Sequence, residues 1–264
     1  MLELKGINKT FNPGTINEKK AIVNLDLSIK EGDFITVIGS NGAGKSTVLN
    51  LISGVIPIDS GKLILEDKDI TNMKEYKRAA FLGRVFQDPM LGTAGNMMLE
   101  ENLAMANRRG KRRGLHWGIA DKERSLFQEK LKTLDLGLED RLKAKVGLLS
   151  GGQRQAVTLL MATLQHPKLL LLDEHTAALD PKTAAKVLEV TDNLVQNSHL
   201  TTLMITHNMR DAIRLGNRLI MMNQGKIIYD VEGEEKKNLT VEDLLKKFEV
   251  MSGEELTNDS LLLG

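Results

Sequence analysis

We predict an α/β fold with a mainly parallel sheet from two patterns in the sequence. The runs Phe34–Ile38 and Leu169–Leu172 are short and rich in β-branched residues or leucine, which is typical of strands buried on both faces. Helical patterns at Ser46–Ser53 and Pro181–Gln196 follow these two runs along the chain. Strands that alternate with helices in this way favour a sheet whose strands run mainly parallel.

Alternation of apolar and polar residues, together with turn signals, predicts the smaller elements. An edge strand is expected at residues 2–8, and a second strand at Ile22–Ile29 ends at the turn Glu31-Gly32. The other expected elements are strands at Lys62–Leu65 and Thr202–Ile205, a hairpin of Leu219–Met222 and Lys226–Tyr229 around Asn223-Gln224-Gly225, and an amphipathic helix at Val241–Val250.

The stretch from Gln87 to Gly147 differs from the rest of the chain. Helical periodicity covers Met90–Arg109 and Asp121–Leu134, and few strand signals lie between them. We therefore expect a helical insertion in the α/β core.

Composition excludes several classes of function. The chain has 264 residues, a formal net charge of +1 and no cysteine, so disulfides, thiolate nucleophiles and cysteine metal sites are ruled out. The near-zero charge gives no field that would attract nucleic acid. The N-terminal residues are polar and lack an apolar signal core, and no run approaches the roughly 20 apolar residues of a membrane span. Any link to a membrane is expected to come through a partner.

A glycine-rich loop at Gly39–Thr47 predicts a phosphate site. Its residues Gly39 to Ser46 match the pattern G-x-x-x-x-G-K-[ST], with a buried strand before it and a helix after it. Glycines let backbone N–H groups converge on phosphate oxygens, and the positive end of the helix adds to their attraction. Lys45 is expected to reach the β- and γ-phosphates of ATP, and Ser46 to bind Mg²⁺.

Two carboxylates, Asp173 and Glu174, follow the run of four leucines. In open α/β sheets, ligands bind at the carboxyl ends of the strands. We expect Asp173 to hold the Mg²⁺ hydration shell and Glu174 to polarise the attacking water as a general base. The alternative is a solvated turn at the end of a strand.

Six motifs in a fixed order give the chain its resemblance to a family. They are the phosphate loop, Gln87, Leu149-Ser150-Gly151-Gly152-Gln153, the acidic strand end, Ala178-Leu179-Asp180 and His207. In this order they resemble the ATP-binding cassette (ABC) family along nearly the whole chain. The resemblance implies a P-loop NTPase core with a mainly parallel sheet, an N-terminal antiparallel β subdomain and a helical insertion subdomain. It places the core at 1–87 and 148–264 and the helical subdomain at 88–147.

The resemblance also implies a role for each matching residue. Phe11 is similar to the aromatic residue that stacks on adenine, although the insertion Asn12–Lys20 follows it. Glu174, His207 and Lys45 take catalytic roles, and Ser46, Gln87 and Asp173 take roles at Mg²⁺. ATP would be bound by Phe11, Gly39, Ser40, Asn41, Gly42, Ala43, Gly44, Lys45, Ser46, Thr47 and Gln87. Ser150, Gly151, Gly152 and Gln153 form the signature loop, which contacts the γ-phosphate held by the opposite subunit, and Asp180 lies at the dimer interface.

Two departures from the family pattern do not remove a catalytic group. Ala156 stands where most members have arginine, and His175 follows Glu174 where proline is usual. With the segments at 82–89 and 92–94, these departures resemble a bacterial subgroup of uptake systems of the tryptophan/tyrosine type or uncharacterised.

The resemblance implies a set of partners and a location. The partners are a second copy of this subunit in a head-to-tail homodimer, separate transmembrane permease subunits and an extracytoplasmic substrate-binding protein, with no nucleic acid. The location is peripheral, at the cytoplasmic face of the plasma membrane. One alternative stays open, a soluble cassette ATPase of iron–sulfur cluster assembly, whereas a small-molecule P-loop kinase does not explain Ser150–Gln153.

A cluster of basic residues at Arg108–Arg113, with Trp117 nearby, has two interpretations. It contacts lipid head groups or an acidic partner surface, or it is a solvated loop of the helical insertion.

Overall fold

A computed structural model describes residues 1–111 and 118–252, and the side chain of residue 252 is not part of the description. In its first part the elements are β1 Leu2–Phe11, β2 Lys19–Ile29, β3 Phe34–Gly39, α1 Lys45–Ser53, β4 Ser60–Leu65, β5 Lys68–Asp69, α2 Glu75–Arg78, β6 Leu82–Val85, α3 Leu99–Asn107 and α4 Asp121–Lys132. The rest are α5 Gly151–Thr163, β7 Leu169–Asp173, α6 Pro181–Asn197, β8 Thr202–Ile205, α7 Met209–Arg214, β9 Arg218–Asn223, β10 Lys226–Glu232, α8 Gly233–Lys237 and α9 Val241–Ser252. Short 3₁₀ turns lie at Pro89–Gly92 and Val146–Leu148.

The described residues form two compact units. Of these residues, the first unit contains 1–78 and 201–252, and the second contains 79–111 and 118–200. No described helix is both long enough and apolar enough to cross a membrane.

An antiparallel sheet in the order β2-β1-β4-β5 forms one layer of the first unit. Leu2 pairs with Ile29 on one side and with Leu65 on the other, and Leu2, Leu4 and Ile7 are all buried. The predicted edge position of residues 2–8 is therefore wrong, because β1 lies between two strands. Alternation of apolar and polar residues shows that one face is buried, but it does not tell an edge strand from an inner one.

Strand β3 is the centre of the other sheet in the first unit. It pairs in parallel with β8 and with β9, while β10 runs antiparallel to β9. The hairpin between β9 and β10 turns at Gln224 and Gly225, both with positive φ, as a tight two-residue turn requires. The predicted hairpin is confirmed.

Helix α9 covers part of this sheet. Its residues Leu244 and Phe248 are buried in a cluster with Ile38 and Met221, which confirms an amphipathic helix at this place. Apolar residues at i and i+4 face the same side of a helix, so a single stripe makes the contact.

In the second unit β6 and β7 pair in parallel, with Val85 opposite Leu172. Strand β6 was not expected from the sequence, because Gly83 and Arg84 interrupt its apolar pattern. The structure explains the glycine, since a Cβ on Gly83 would lie 2.7 Å from the backbone oxygen of Ala162 in α5.

The predicted helix at Met90–Arg109 is wrong over its first half. Residues 93–98 form an irregular loop, and the helix begins only at Leu99. The buried side chain of Asn102 holds this loop: its Oδ1 accepts from the N–H of Ala94 at 2.8 Å, and its Nδ2 donates to the Ala94 oxygen at 3.1 Å. The side-chain amide of Asn102 thus satisfies backbone groups of the loop, although the apolar periodicity had favoured a helix there.

Candidate functional site

The loop after β3 has the backbone of a phosphate cradle. Gly39 has φ 149° and Gly44 has φ 101°. A Cβ on Gly39 would lie 2.2 Å from the backbone oxygen of Met222, and one on Gly44 would lie 2.6 Å from that of Ala21. Both positions therefore require glycine, for conformational and for steric reasons.

Lys45 is the first residue of α1 and is 5% exposed. Its ammonium donates to the backbone oxygens of Gly39 at 2.8 Å and Ser40 at 3.1 Å, so the charge lies against the loop. The residue before the helix, Gly44, offers no side chain to cap the first turn. Positive charge and the N-terminus of a helix thus coincide, which is the arrangement that attracts phosphate.

A second cation near this loop was not identified from the sequence. The ammonium of Lys19 lies 3.0 Å from the point that a Cβ on Gly42 would occupy. Lys19 also pairs with Phe11 across β1 and β2, so Phe11 stands opposite the residue whose ammonium lies near the loop. The sequence signal was only a pair of lysines, Lys19 and Lys20, in a polar stretch.

His207 lies two residues beyond the end of β8. This strand is the parallel neighbour of β3, with Val37 opposite Ile205, so His207 and the phosphate loop lie at the same edge of the sheet. The next residue, Asn208, caps α7 by accepting from the N–H groups of Arg210 and Asp211.

The parallel pairing of β6 with β7 places Asp173, the last residue of β7, and Gln87, two residues beyond the end of β6, at the same end of these two strands in the second unit. Arg84 Nη2 lies 3.6 Å from Asp173 Oδ2, and both side chains are mostly buried. The Arg84 guanidinium also stacks over the Phe86 ring at 4.5 Å. Sequence reasoning missed Arg84, because its contact with Asp173 depends on strand register.

Glu174 adopts φ 46°, a left-handed conformation that is uncommon for a residue with a side chain. Its backbone oxygen accepts from the N–H of Ala177 at 3.0 Å, which closes a turn immediately after β7. Backbone strain of this kind costs on the order of 1 kcal/mol and is concentrated at functional sites.

His175, where the family usually has proline, is a buried structural residue. Burial lowers the pKa of its imidazole to about 4. Its Nε2 lies 2.9 Å from Thr191 Oγ1, and that hydroxyl donates to the Val187 oxygen at 2.8 Å. Because the hydroxyl hydrogen is used, Nε2 must carry the hydrogen and donate to Thr191.

We expect Thr191→Val to lower the free energy of unfolding by about 1–3 kcal/mol, because the buried Nε2–H of His175 then loses its acceptor. Chemical denaturation at neutral pH measures this change. The double variant of Thr191→Val with His175→Leu leaves no donor unpaired. Its loss of unfolding free energy should therefore be about 1 kcal/mol smaller than the sum of the losses in the two single variants. Additive costs would contradict the assigned hydrogen bond.

The residues at Ser150–Gln153 begin α5 with a reciprocal cap. Ser150 Oγ accepts from the N–H of Gln153, and Gln153 Oε1 accepts from the N–H of Ser150, each at 3.2 Å. This geometry satisfies two N–H groups and confirms the start of the helix at the serine.

Packing against the start of α6 explains the two glycines of this segment. A Cβ on Gly152 would lie 2.1 Å from Thr183 Cγ2, and one on Gly151 would lie 3.2 Å from Leu179. Asp180 caps α6 by accepting from the N–H of Thr183 at 3.1 Å. Hydrogen bonding to Thr183, chiefly through its side chain and then through its N–H, lowers the pKa of the Asp180 carboxyl. The N-termini of α5 and α6 thus lie side by side.

Gln155 links helix α5 to the segment that contains Gln87 through a hydrogen bond. It is fully buried, and its Nε2 donates to the backbone oxygen of Phe86 at 3.1 Å. A glutamine within a helix gives no sequence signal for such a contact.

A fold with a phosphate cradle after a parallel strand and an acidic strand end defines a nucleotide-binding α/β protein. Comparison with known proteins identifies the family: a family model described as "ABC transporter" matches residues 22–177. The chain therefore belongs to the ABC transporter family.

Individual relatives agree with this assignment. The chain is 48% identical over 250 residues to a tyrosine transport ATP-binding protein of Clostridioides difficile, covering 94% of this chain and 99% of that one. A dimeric ATP-binding cassette in a post-hydrolysis state, bound to ADP and Pi, superposes with a TM-score of 0.75 at 29% identity, covering 88% of this chain and 98% of that one. The ADP conformation of another ABC transporter cassette gives a TM-score of 0.76 at 29% identity, covering 96% and 99%.

These findings confirm the predicted fold class and the ATPase activity. The protein is an ATP-binding subunit of an ABC transporter and hydrolyses ATP. The iron–sulfur alternative is not favoured, because the relatives are transport ATP-binding proteins.

Proposed function

We propose that this chain powers the uptake of an amino acid through separate membrane-spanning subunits. The observation that carries the proposal is its 48% identity, over almost the whole of both chains, to a tyrosine transport ATP-binding protein. An aromatic amino acid such as tyrosine is the proposed substrate, delivered by an extracytoplasmic binding protein. The chain would lie at the cytoplasmic face of the membrane, held there by its partners.

The proposed active form is a head-to-tail homodimer. Each ATP would lie between the Gly39–Thr47 loop of one subunit and the Ser150–Gln153 segment of the other, with Asp180 at the interface. Support comes from the shape of each part: the loop presents backbone N–H groups and Lys45, and Ser150 begins a second helix whose N-terminus favours negative charge. A dimeric cassette with ADP and Pi is among the similar structures.

Mg²⁺ suits the three donors proposed to hold it. The hydroxyl of Ser46, the amide oxygen of Gln87 and the carboxylate of Asp173 are hard oxygen donors, and Mg²⁺ is usually bound by one or two carboxylates together with substrate phosphates. Among the described residues there is no group of three or more His, Cys, Asp or Glu side chains that could hold a metal ion. The ion would neutralise phosphate charge when bound.

The proposed mechanism gives four residues of this chain separate roles in ATP binding and hydrolysis. Lys45 places its ammonium on the phosphate loop, where it would offset charge on the β- and γ-phosphates. Glu174 would accept the proton of the attacking water, and His207 would donate a hydrogen bond to the γ-phosphate. Phe11 would stack on adenine.

Uptake of radiolabelled tyrosine in the source organism tests the proposal. Deleting the gene for this chain should abolish high-affinity uptake, and the wild-type gene should restore it whereas a Glu174→Gln copy should not. Uptake of labelled lysine is the control and should stay unchanged. Unaltered uptake of tyrosine, tryptophan and phenylalanine in the deletion strain would show that the substrate is of another class.

A further inference from the structure

Arg84 contacts two parts of the proposed Mg²⁺ site that belong to the second unit. Its Nη2 lies 3.6 Å from Asp173 Oδ2, and the central carbon of its guanidinium lies 4.5 Å from the centre of the Phe86 ring. Phe86 directly precedes Gln87 in the chain. A single side chain therefore links the acidic strand end to the segment of Gln87, and both Asp173 and Gln87 are proposed to act at Mg²⁺.

The ladder between β6 and β7 does not extend to these two residues. Its pairing ends with Val85 opposite Leu172, and Asp173 and Gln87 follow these positions. A residue just beyond a ladder takes its orientation from the side chains around it. The contacts of Arg84 therefore bear directly on where the Asp173 carboxylate points.

Strand register places Arg84 on the same face of the sheet as Asp173. Arg84 stands opposite Leu171, two residues before Asp173, and residues two apart along a strand point to the same face. The side chains of Arg84 and Asp173 are only 15% and 16% exposed. Water and salt screen a charge pair at this depth less than one on the surface, so the pair constrains the carboxylate.

The backbone of Phe86 is held by a contact of its own. The fully buried Gln155 donates from Nε2 to the Phe86 oxygen at 3.1 Å. A planar guanidinium can pair with a carboxylate and also stack on a ring, whereas the ammonium of lysine is a compact charge. The stacked Arg84 therefore joins Asp173 to a segment that is already fixed against α5.

The described arginines of the basic cluster at Arg108–Arg113 make contacts of another kind. Arg108 pairs with Glu123 at 2.8 Å, and Arg109 donates to the backbone oxygen of Ala162 at 3.1 Å. Neither partner is a residue proposed to bind ATP or Mg²⁺. The later members of the cluster and the nearby tryptophan lie outside the described residues, namely Arg112, Arg113 and Trp117.

We infer that Arg84 is a positioning residue for Mg²⁺, which orients Asp173 and the segment of Gln87 toward the ion. This inference rests on the proposed function, because it requires Asp173 to act at Mg²⁺. A carboxylate has two oxygens, so Asp173 can face Arg84 with one and offer the other to the ion. Partners that orient a metal ligand typically contribute about 10- to 100-fold to metal affinity. Repulsion between the guanidinium and the ion acts in the opposite direction, so the sign of the change decides.

The ion affinity of Arg84→Met tests the inference, with Mn²⁺ as the probe. When protein is in excess over a non-hydrolysable ATP analogue, the electron paramagnetic resonance signal of free Mn²⁺ gives the Kd of the ion for the bound nucleotide. Arg84→Met should raise this Kd by about tenfold, while its affinity for the analogue in EDTA stays within about twofold of wild type. Arg84→Lys keeps the charge but not the planar stack and should raise the Kd by about threefold.

Arg141→Met is the matched control, because it removes an exposed arginine of the same unit. It should leave the Kd for Mn²⁺ unchanged. Asp173→Asn should raise that Kd more than Arg84→Met does, since it removes the charge of the proposed donor itself. Thermal unfolding checks each fold, and Arg84→Lys keeps the test valid if Arg84→Met is unstable.

ATP hydrolysis gives a second measurement, which a loss of folded protein would not imitate. The Mg²⁺ concentration for half-maximal turnover should rise by about tenfold in Arg84→Met, and saturating Mg²⁺ should restore turnover to within about threefold of wild type. A purely structural defect would lower turnover at every Mg²⁺ concentration without moving this midpoint. That result would overturn the inference.

The outcomes separate the inference from the proposed function. If Asp173→Asn binds Mn²⁺ like the wild type, the proposed role of Asp173 fails, and the role of Arg84 fails with it. If Asp173→Asn weakens Mn²⁺ binding but both Arg84 variants bind the ion as tightly as the wild type, or more tightly, only the inference is wrong.

Discussion

Glu174→Gln should reduce ATP turnover by a factor of roughly 10²–10⁴ and leave ATP binding within about twofold of wild type. The amide keeps the size of the side chain and its left-handed backbone position, but it cannot take the proton of the attacking water. In the proposed mechanism hydrolysis would reopen the dimer, so the variant should accumulate as an ATP-bound dimer. Steady-state phosphate release, nucleotide binding and size-exclusion chromatography with ATP measure the three effects.

Glu189→Gln is the matched control for this variant. Glu189 lies on α6 in the same unit and forms a surface ion pair with Lys186, so its substitution should change neither turnover nor the elution volume. Turnover of Glu174→Gln above about half of the wild-type value would remove Glu174 as the general base. Turnover that is lost without a shift to the dimer would instead argue against the head-to-tail arrangement.

Lys45→Ala should weaken ATP binding by roughly 30- to 1,000-fold, since it removes the charge that lies against the phosphate loop. Lys19→Ala removes a more exposed charge near Gly42 and should weaken binding only by about two- to fivefold. Titration of a fluorescent ATP analogue gives both values.

Lys20→Ala is the control, because Lys20 neighbours Lys19 on β2 but points to the opposite face of the strand. It should bind the analogue like the wild type. Equal losses in all three variants would indicate a general effect of charge, and a loss below about threefold in Lys45→Ala would remove the lysine from its proposed role.

The parts of the fold that sequence could predict are those with strong local patterns. The apolar runs at β3 and β7 and the spacing of Gly39, Lys45 and Ser46 are visible within a few residues. In the same way, Ser150 and Gln153 stand three residues apart, as a reciprocal cap requires.

The parts that sequence could not predict depend on contacts between distant residues. Strand β6 is too short and too polar to show a period, and its existence follows from pairing with β7. The ion pair of Arg84 with Asp173 needs the register of that pairing, which no local pattern encodes. The loop before α3 likewise replaced a helix because one buried side chain, Asn102, satisfied its backbone.

The C-terminal end of helix α1, which follows the phosphate loop, is held in place by a buried arginine. The buried guanidinium of Arg78 donates to five backbone oxygens, those of Leu51, Ile52, Ile70, Thr71 and Met73. It therefore ties the last turn of the helix to the segment before α2, and Gly54 closes the same end. Local opening of α1 should become more costly from its first turn to its last, so slow amide exchange is expected at the C-terminal end. The end of α1 that begins at Lys45, where phosphate would bind, is therefore expected to open more easily than the end held by Arg78.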